Sequence, residues 1–165
     1  MKLFTLIHVL ISLVGILSGG VVLQGMLKAR RLDRWTTIFL ATTVATSVTG
    51  FLFPFHGFTP ALGTGILSMV ALAIAIYALY DRKLTGIWRK TYVISAVFSL
   101  YLNVFVLVVQ LFLHVPAIHA LAPKQTEPPF VISQLLVLVT FIALGIQATK
   151  KFHNEEVRLL VVTKV

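Results

Sequence analysis

The sequence predicts an all-α integral membrane protein, a five-transmembrane-helix bundle with its N-terminus outside and its C-terminus cytoplasmic. Three observations predict it. Of 165 residues, 58% are hydrophobic and 12% charged, with a mean hydropathy of +0.98, whereas soluble domains carry nearer a quarter charged residues. Five apolar stretches occupy positions 3–27, 35–53, 61–80, 91–114 and 130–149, none containing Asp, Glu, Lys or Arg; each reaches the roughly 20 residues a helix needs to cross a bilayer core. Lys and Arg, finally, are gathered in alternate connectors. The length suits one membrane domain covering 1–165, with residues 150–165 as a cytoplasmic tail. Strand alternation is missing, which argues against an outer-membrane barrel. With no cysteine, disulfides, thiolate metal sites, iron–sulfur clusters and cysteine nucleophiles are excluded.

Twelve of the fourteen Lys and Arg residues lie in 28–34, 82–90 and the tail, leaving Lys2 and Lys124 for the other side. Short cytoplasmic loops carry such an excess, so the formal charge of +9 reads as a topology signal with some attraction to anionic lipid, not as nucleic-acid binding. The first stretch resembles a signal peptide at its start. Its apolar run continues to Leu27 and four basic residues follow, which fits an uncleaved span. It places His8 about two turns in from the outside, with Ser12 on the same face, and Gly15 and Gly19 at GxxxG spacing.

Helix pairing in lipid rests on small residues and side-chain hydrogen bonds. The second span offers Ala41, Ala45 and Thr49, with Thr42, Thr46 and Gly50 alongside; the third offers Gly65, Ser68, Ala71 and Ala75. Packing within one bundle is the plainer reading of these stripes, and a dimer face the other. Along the fourth span, Tyr92, Ser95, Ser99, Asn103, Gln110 and His114 share an arc of about 100°. The fifth answers with Ser133, Thr140 and Gln147, and Gln134 beside them. An amide in hydrocarbon must find partners, so these side chains are expected to turn inward. They are densest in the outer half. The pattern predicts a small outward-opening polar pocket whose ligand contacts are Asn103, Gln110, His114, His8, Ser99 and Gln134; its competitor is a set of satisfied interhelical bonds with no cavity.

The longest outer connector, HVPAIHALAPKQTEPPF, holds four prolines and cannot be helical throughout. Its apolar Val-Pro-Ala-Ile-His-Ala-Leu run is expected to lie on the bilayer or to cap the bundle as a short helix, and Pro128 and Pro129 to open the last span. It reads as a lid, a docking surface or a rigid connector.

Four histidines, His8, His56, His114 and His119, map to the outer side, and imidazole ligates haem iron and transition metals. His8 and His114 lie at comparable depth on different helices, as ligands of one b-type haem would. His56, His114 and His119 would instead collect a transition metal. The third reading gives these residues no ligand and the protein no cofactor. Neither HExxH nor CxxCH occurs, and no intramembrane carboxylate, triad or phosphate-cradling loop is visible; Gly63, Thr64 and Gly65 form a GxG that lacks the rest of a dinucleotide fingerprint.

Size and span count are similar to those of the tryptophan-rich sensory (translocator) proteins, which are five-helix membrane proteins. With Trp35 and Trp88 as its two tryptophans, the chain lacks that family's pattern, and the likeness assigns no residue. The sequence therefore predicts a non-enzymatic multi-pass protein of a bacterial cytoplasmic (inner) membrane. Its expected role is an accessory subunit or a small-ligand binder, with the lipid bilayer, a larger membrane complex or a second copy as partners. A redox subunit carrying haem or metal and a neutral-solute facilitator are the alternatives.

Overall fold

Each basic connector of the chain is a helix reversal. The structure, a computed structural model, describes residues 2–53 and 60–152. They form α1 (Lys2–Leu27), α2 (Asp33–Phe51), α3 (Pro60–Ile76) continued by a π-helical turn (Tyr77–Asp81), α4 (Ile87–His114), a short α5 (Pro116–His119) and α6 (Pro128–Lys151). Among the described residues there is no strand. Four helical segments are long and apolar enough to cross a membrane: Leu3–Leu27, Leu62–Asp81, Ile87–His114 and Pro128–Lys151. α2 is not among them, because Asp33 and Arg34 open it and Thr36, Thr37, Thr42, Thr43, Thr46, Ser47 and Thr49 dilute its apolar content.

The helix ends differ from expectation by a few residues. α2 begins two residues early, at Asp33, and the Thr36 N–H closes its first turn on the Leu32 carbonyl. α4 begins at Ile87 instead of 91, and α6 runs from the proline pair through Lys151. The third span ends in the π turn, where the Arg82 N–H reaches back to the Tyr77 carbonyl. The expected short helix after His114 is present as α5. Residues 54–59, with His56, and the tail beyond Phe152 lie outside the described residues.

The long helices alternate in direction, with α4 at the centre against α1, α3 and α6. Small residues set the approach. A Cβ on Gly15 would stand 3.3 Å from the hydroxyls of Thr42 and Thr43, and one on Gly19 would stand 2.6 Å from Leu100 Cδ1 and 2.8 Å from Phe39 Cδ2. The GxxxG face is thus consumed where α1, α2 and α4 meet, as packing inside one bundle requires. Ser68, Ala71 and Ala75 of α3 are buried likewise, and Ser47 Oγ donates to Ser68 Oγ across the buried α2–α3 contact at 3.3 Å.

The core is richest at the end that carries the basic connectors, where Met26, Phe39, Leu79, Leu84, Tyr92 and Phe152 cluster. There the Arg89 guanidinium donates to the Phe152 and Thr149 carbonyls, tying the start of α4 to the orphan acceptors at the end of α6. The outside of the bundle is apolar. Leu3 and Leu17 of α1 are 70% and 71% exposed, and Leu136 and Val139 of α6 are 63% and 62% exposed. Soluble monomers rarely present contiguous apolar surface of that kind; hydrocarbon imposes no penalty on it.

Candidate functional site

The polar side chains of the spans separate into three groups. Tyr92, Ser95 and Ser99 are buried in the core, and the two serines use their hydroxyls within α4, Ser95 Oγ donating to the Thr91 carbonyl and Ser99 Oγ to the Ser95 carbonyl. Asn103 is half-buried, and its Nδ2 donates to Thr43 Oγ1 at 3.3 Å, closing a polar knot over Gly15. Gln110, His114, Thr140 and Gln147 are exposed. The expectation that all intramembrane polar groups turn inward is corrected at these four positions. α6 lies on the periphery of the bundle, with Ala148 as its buried position among the described residues.

Three of the histidines have defined oxygen neighbours. His8 Nδ1 lies 2.7 Å from Thr49 Oγ1. The single Thr49 hydroxyl proton is directed to the Ala45 carbonyl, so the His8 ring nitrogen is the donor and its Nε2 is left as the acceptor. The ring also stands edge-on to Phe53 at 5.2 Å. His114 Nδ1 donates to the Gln110 carbonyl of its own helix at 3.2 Å. His119 Nδ1 donates to the Phe112 carbonyl at 2.9 Å. That last bond has a backbone cause. The regular helical donor to Phe112 would be residue 116, which is proline and has no N–H; the imidazole supplies the missing one. Among the described residues no three His, Asp or Glu side chains are grouped to hold a metal.

The Phe112 carbonyl is one rung of a seam along the outer half of α4. One turn away, the Val109 carbonyl accepts from Gln125 Nε2 at 2.9 Å, and the next, at Phe105, accepts from Gln134 Nε2 at 3.2 Å. The outer connector and α6 are thereby fastened to α4, and Phe112 meets Phe130 edge-on at 5.3 Å. The connector is therefore a pinned strap over the end of the bundle. Asn103, Gln134, His8 and His119 each serve a helix–helix or loop–helix bond, the arrangement weighed against a pocket above. Within this half, Thr46 Oγ1 and Gln134 Oε1 are buried without a protein partner.

The sizeable concavity lies elsewhere. A groove of about 420 Å³ opens sideways between α4 and α6, from mid-span to the basic end, a volume within the range of small-molecule pockets. Ile94, Val97, Phe98 and Tyr101 form the α4 wall, and Phe141, Ile142, Gly145 and Ile146 the facing one. Gly145 is what opens the floor, since its missing Cβ would sit 3.5 Å from Val97 Cγ1. At the mid-span end Tyr101 packs against Phe98, Phe105 and Phe141 with ring centroids about 6 Å apart. At the other end Thr149 and Lys150 mark the mouth. The lining is almost wholly apolar, so its chemistry is retention of hydrocarbon-like matter and not acid–base work.

Tyr101 lies off the polar stripe of the fourth span. The signal that would have found the groove is the row Ile94, Phe98, Tyr101 and Phe105, which shares one helix face, opposite a glycine in α6. In comparison with known proteins, the chain matches no family model, no curated protein and no solved structure.

Proposed function

We propose that this chain is a non-enzymatic five-span protein of a bacterial cytoplasmic membrane, N-terminus outside, that binds a small, largely apolar ligand taken laterally from the bilayer. The observation that carries this reading is the apolar groove between α4 and α6, floored by Gly145 and closed at mid-span by Tyr101. Four spans satisfy length and apolarity outright. α2 joins them as a threonine-rich helix whose hydroxyls bond to carbonyls one turn back, as Thr42 and Thr49 do, which lowers the cost of placing them in hydrocarbon. The same apolar exterior suits an accessory subunit seated beside a larger membrane complex. The test is extraction of the protein purified in mild detergent, with mass spectrometry of what travels with it. An apolar compound retained by the native chain and absent from Ile142→Trp, which obstructs the groove, is the expected result; identical extracts from both would overturn it.

A second reading, a b-type haem on His8 and His114, draws on one observation: His8 is anchored through Nδ1 to Thr49, which leaves Nε2 as its acceptor nitrogen, as in an oriented axial ligand. A Soret band that disappears in His114→Ala would support it, and a featureless spectrum after haem supplementation would remove it.

A further inference from the structure

The groove has an asymmetry that its apolar walls do not explain. Its length runs along α6 from Leu138 to Lys150, about 18 Å at 1.5 Å per residue, close to the roughly 15 Å of one leaflet's hydrocarbon. One wall ends in a lysine, and a second lysine lies one turn beyond the other wall at the same end. Lys150 lines the mouth on α6. Lys90 is exposed on α4 one turn before Ile94, and residues four apart share a helix face. At the opposite, mid-span end the walls close on the aromatic cluster around Tyr101, with no charge. A neutral apolar molecule would need no lysine at the mouth; a chain carrying an anion at one end would be matched along its whole length.

We propose that the groove holds one acyl chain of an anionic phospholipid from the leaflet on the basic side, with its headgroup phosphate between Lys90 and Lys150. The proposal rests on the groove being a ligand site, as argued above, and adds the ligand's class and polarity. The neighbouring Arg89 already donates to the Thr149 and Phe152 carbonyls, so it fixes the mouth while the two lysines meet the anion. The hydrocarbon contributes retention, and the lysines contribute headgroup choice.

Native mass spectrometry of the full chain in mild detergent tests this, using phosphatidylglycerol and phosphatidylcholine with identical acyl chains. The native protein should retain one phosphatidylglycerol about twentyfold better than phosphatidylcholine, taking roughly fivefold per lysine near an anionic surface. The double variant Lys90→Gln/Lys150→Gln should bring phosphatidylglycerol down to the phosphatidylcholine level and leave the latter unchanged. Ile142→Trp should abolish retention of both. Ile142 is 53% exposed, so a larger ring there disturbs little of the core; Gly145→Leu, which fills the groove from its floor, should act likewise. Equal retention of the two lipids by the native chain overturns the anionic assignment, and the groove reading survives if Ile142→Trp still removes both. If Ile142→Trp and Gly145→Leu keep both lipids at native levels, the assignment and the groove reading fall together. A lipid-free dimer that Ile142→Trp splits would give the groove to a second copy and also overturn the assignment.

Discussion

At the scale of single residues, two adjacent glycines show how local space decides an outcome. A methyl on Gly19 would enter Leu100 and Phe39 at under 3 Å, while nothing stands within 4 Å of one on Gly20. Gly19→Ala should therefore lower stability by roughly 1–3 kcal/mol, as overpacking does. Gly20→Ala should lose nothing and gain up to about 1 kcal/mol from helix propensity. Thermal unfolding of both variants in one detergent checks the pair. The GxxxG spacing made Gly15 and Gly19 legible as a close-approach face, although it could not say which helices would fill it. His119 was legible only as a candidate ligand. Its bond to the carbonyl that Pro116 leaves unpaired requires knowing that the chain folds back there. His119→Ala should cost about 1–3 kcal/mol, the penalty of an orphaned acceptor, seen as a lower melting temperature.

Among the elements, the turns carry the strain and the pH response. Lys83 and Leu84 have φ of 48° and 58°, a left-handed conformation that costs L-residues roughly 1–2 kcal/mol each. Leu84 is 2% exposed in the core, so burial offsets its strain, whereas Lys83 is exposed and has no such return. Lys83→Gly should raise stability by about 1 kcal/mol, and Leu84→Gly should lower it, because the lost burial of a side chain worth roughly 1.5–3 kcal/mol outweighs the strain relieved. Chemical denaturation of the two variants against the native chain measures the contrast. Gly86, at φ 52° and ψ −122°, already occupies a region that Cβ-bearing residues avoid. On the opposite end, the Glu127 carboxylate accepts the backbone N–H groups of Lys124 and Thr126. Some loss of hydration pushes this carboxyl upward, but the hydrogen bonds from its own, the Lys124 and the Thr126 backbone, with the Lys124 charge, hold it below its ordinary value. Because the folded value is the lower one, the loop's support from Glu127 is complete above the ordinary carboxylate value and is lost as pH falls through the lowered one. Protection of the Lys124 and Thr126 amides, measured against the unprotected exchange rate at each pH, should fall over that acidic interval, and in Glu127→Gln it should already be low at neutral pH with no such step. The polar stripe of α4 was read correctly where neighbours enclose it, from Tyr92 to Asn103. It failed at Gln110 and His114, which are exposed although Phe112 between them is buried, because periodicity gives the face of a residue and not which face its neighbours cover at that level. α6 misled for a similar reason: its heptad of Ser133, Thr140 and Gln147 looks like an interface, yet helix α6 meets the bundle through Phe141, Leu144, Gly145 and Ala148 instead.

At the scale of the molecule, the fold was written in composition and charge. Apolar runs bounded by basic connectors leave few arrangements, and the structure brings the connectors at 28–34 and 82–90 and the end of α6 to one end of the bundle through Met26, Leu84, Tyr92 and Phe152. Aromatic side chains gather there too: Tyr77 packs edge-on to Trp88 at 5.2 Å, with the Arg82 guanidinium 5.1 Å from the same indole ring, and Trp35 and Tyr80 are exposed, a disposition that suits headgroup depth. The groove escaped the same reasoning because it is made by the absence of a side chain at Gly145, on a face that carries no polar signal. The proposed cytoplasmic position of the basic end rests on charge alone, and the chain is suited to a direct test because it contains no cysteine. Single cysteines introduced at Thr85, an exposed position in the basic turn, and at Lys124, at the exposed tip of the outer connector, would each be the sole thiol of the protein. A membrane-impermeant maleimide added to intact cells should label Lys124→Cys and spare Thr85→Cys, and permeabilisation should expose the second. The reverse pattern would invert the bundle and move the mouth of the groove, with Lys90 and Lys150, to the outer leaflet. Labelling of both in intact cells would mean an even number of spans between the two sites, and would remove α4 as a membrane-crossing helix.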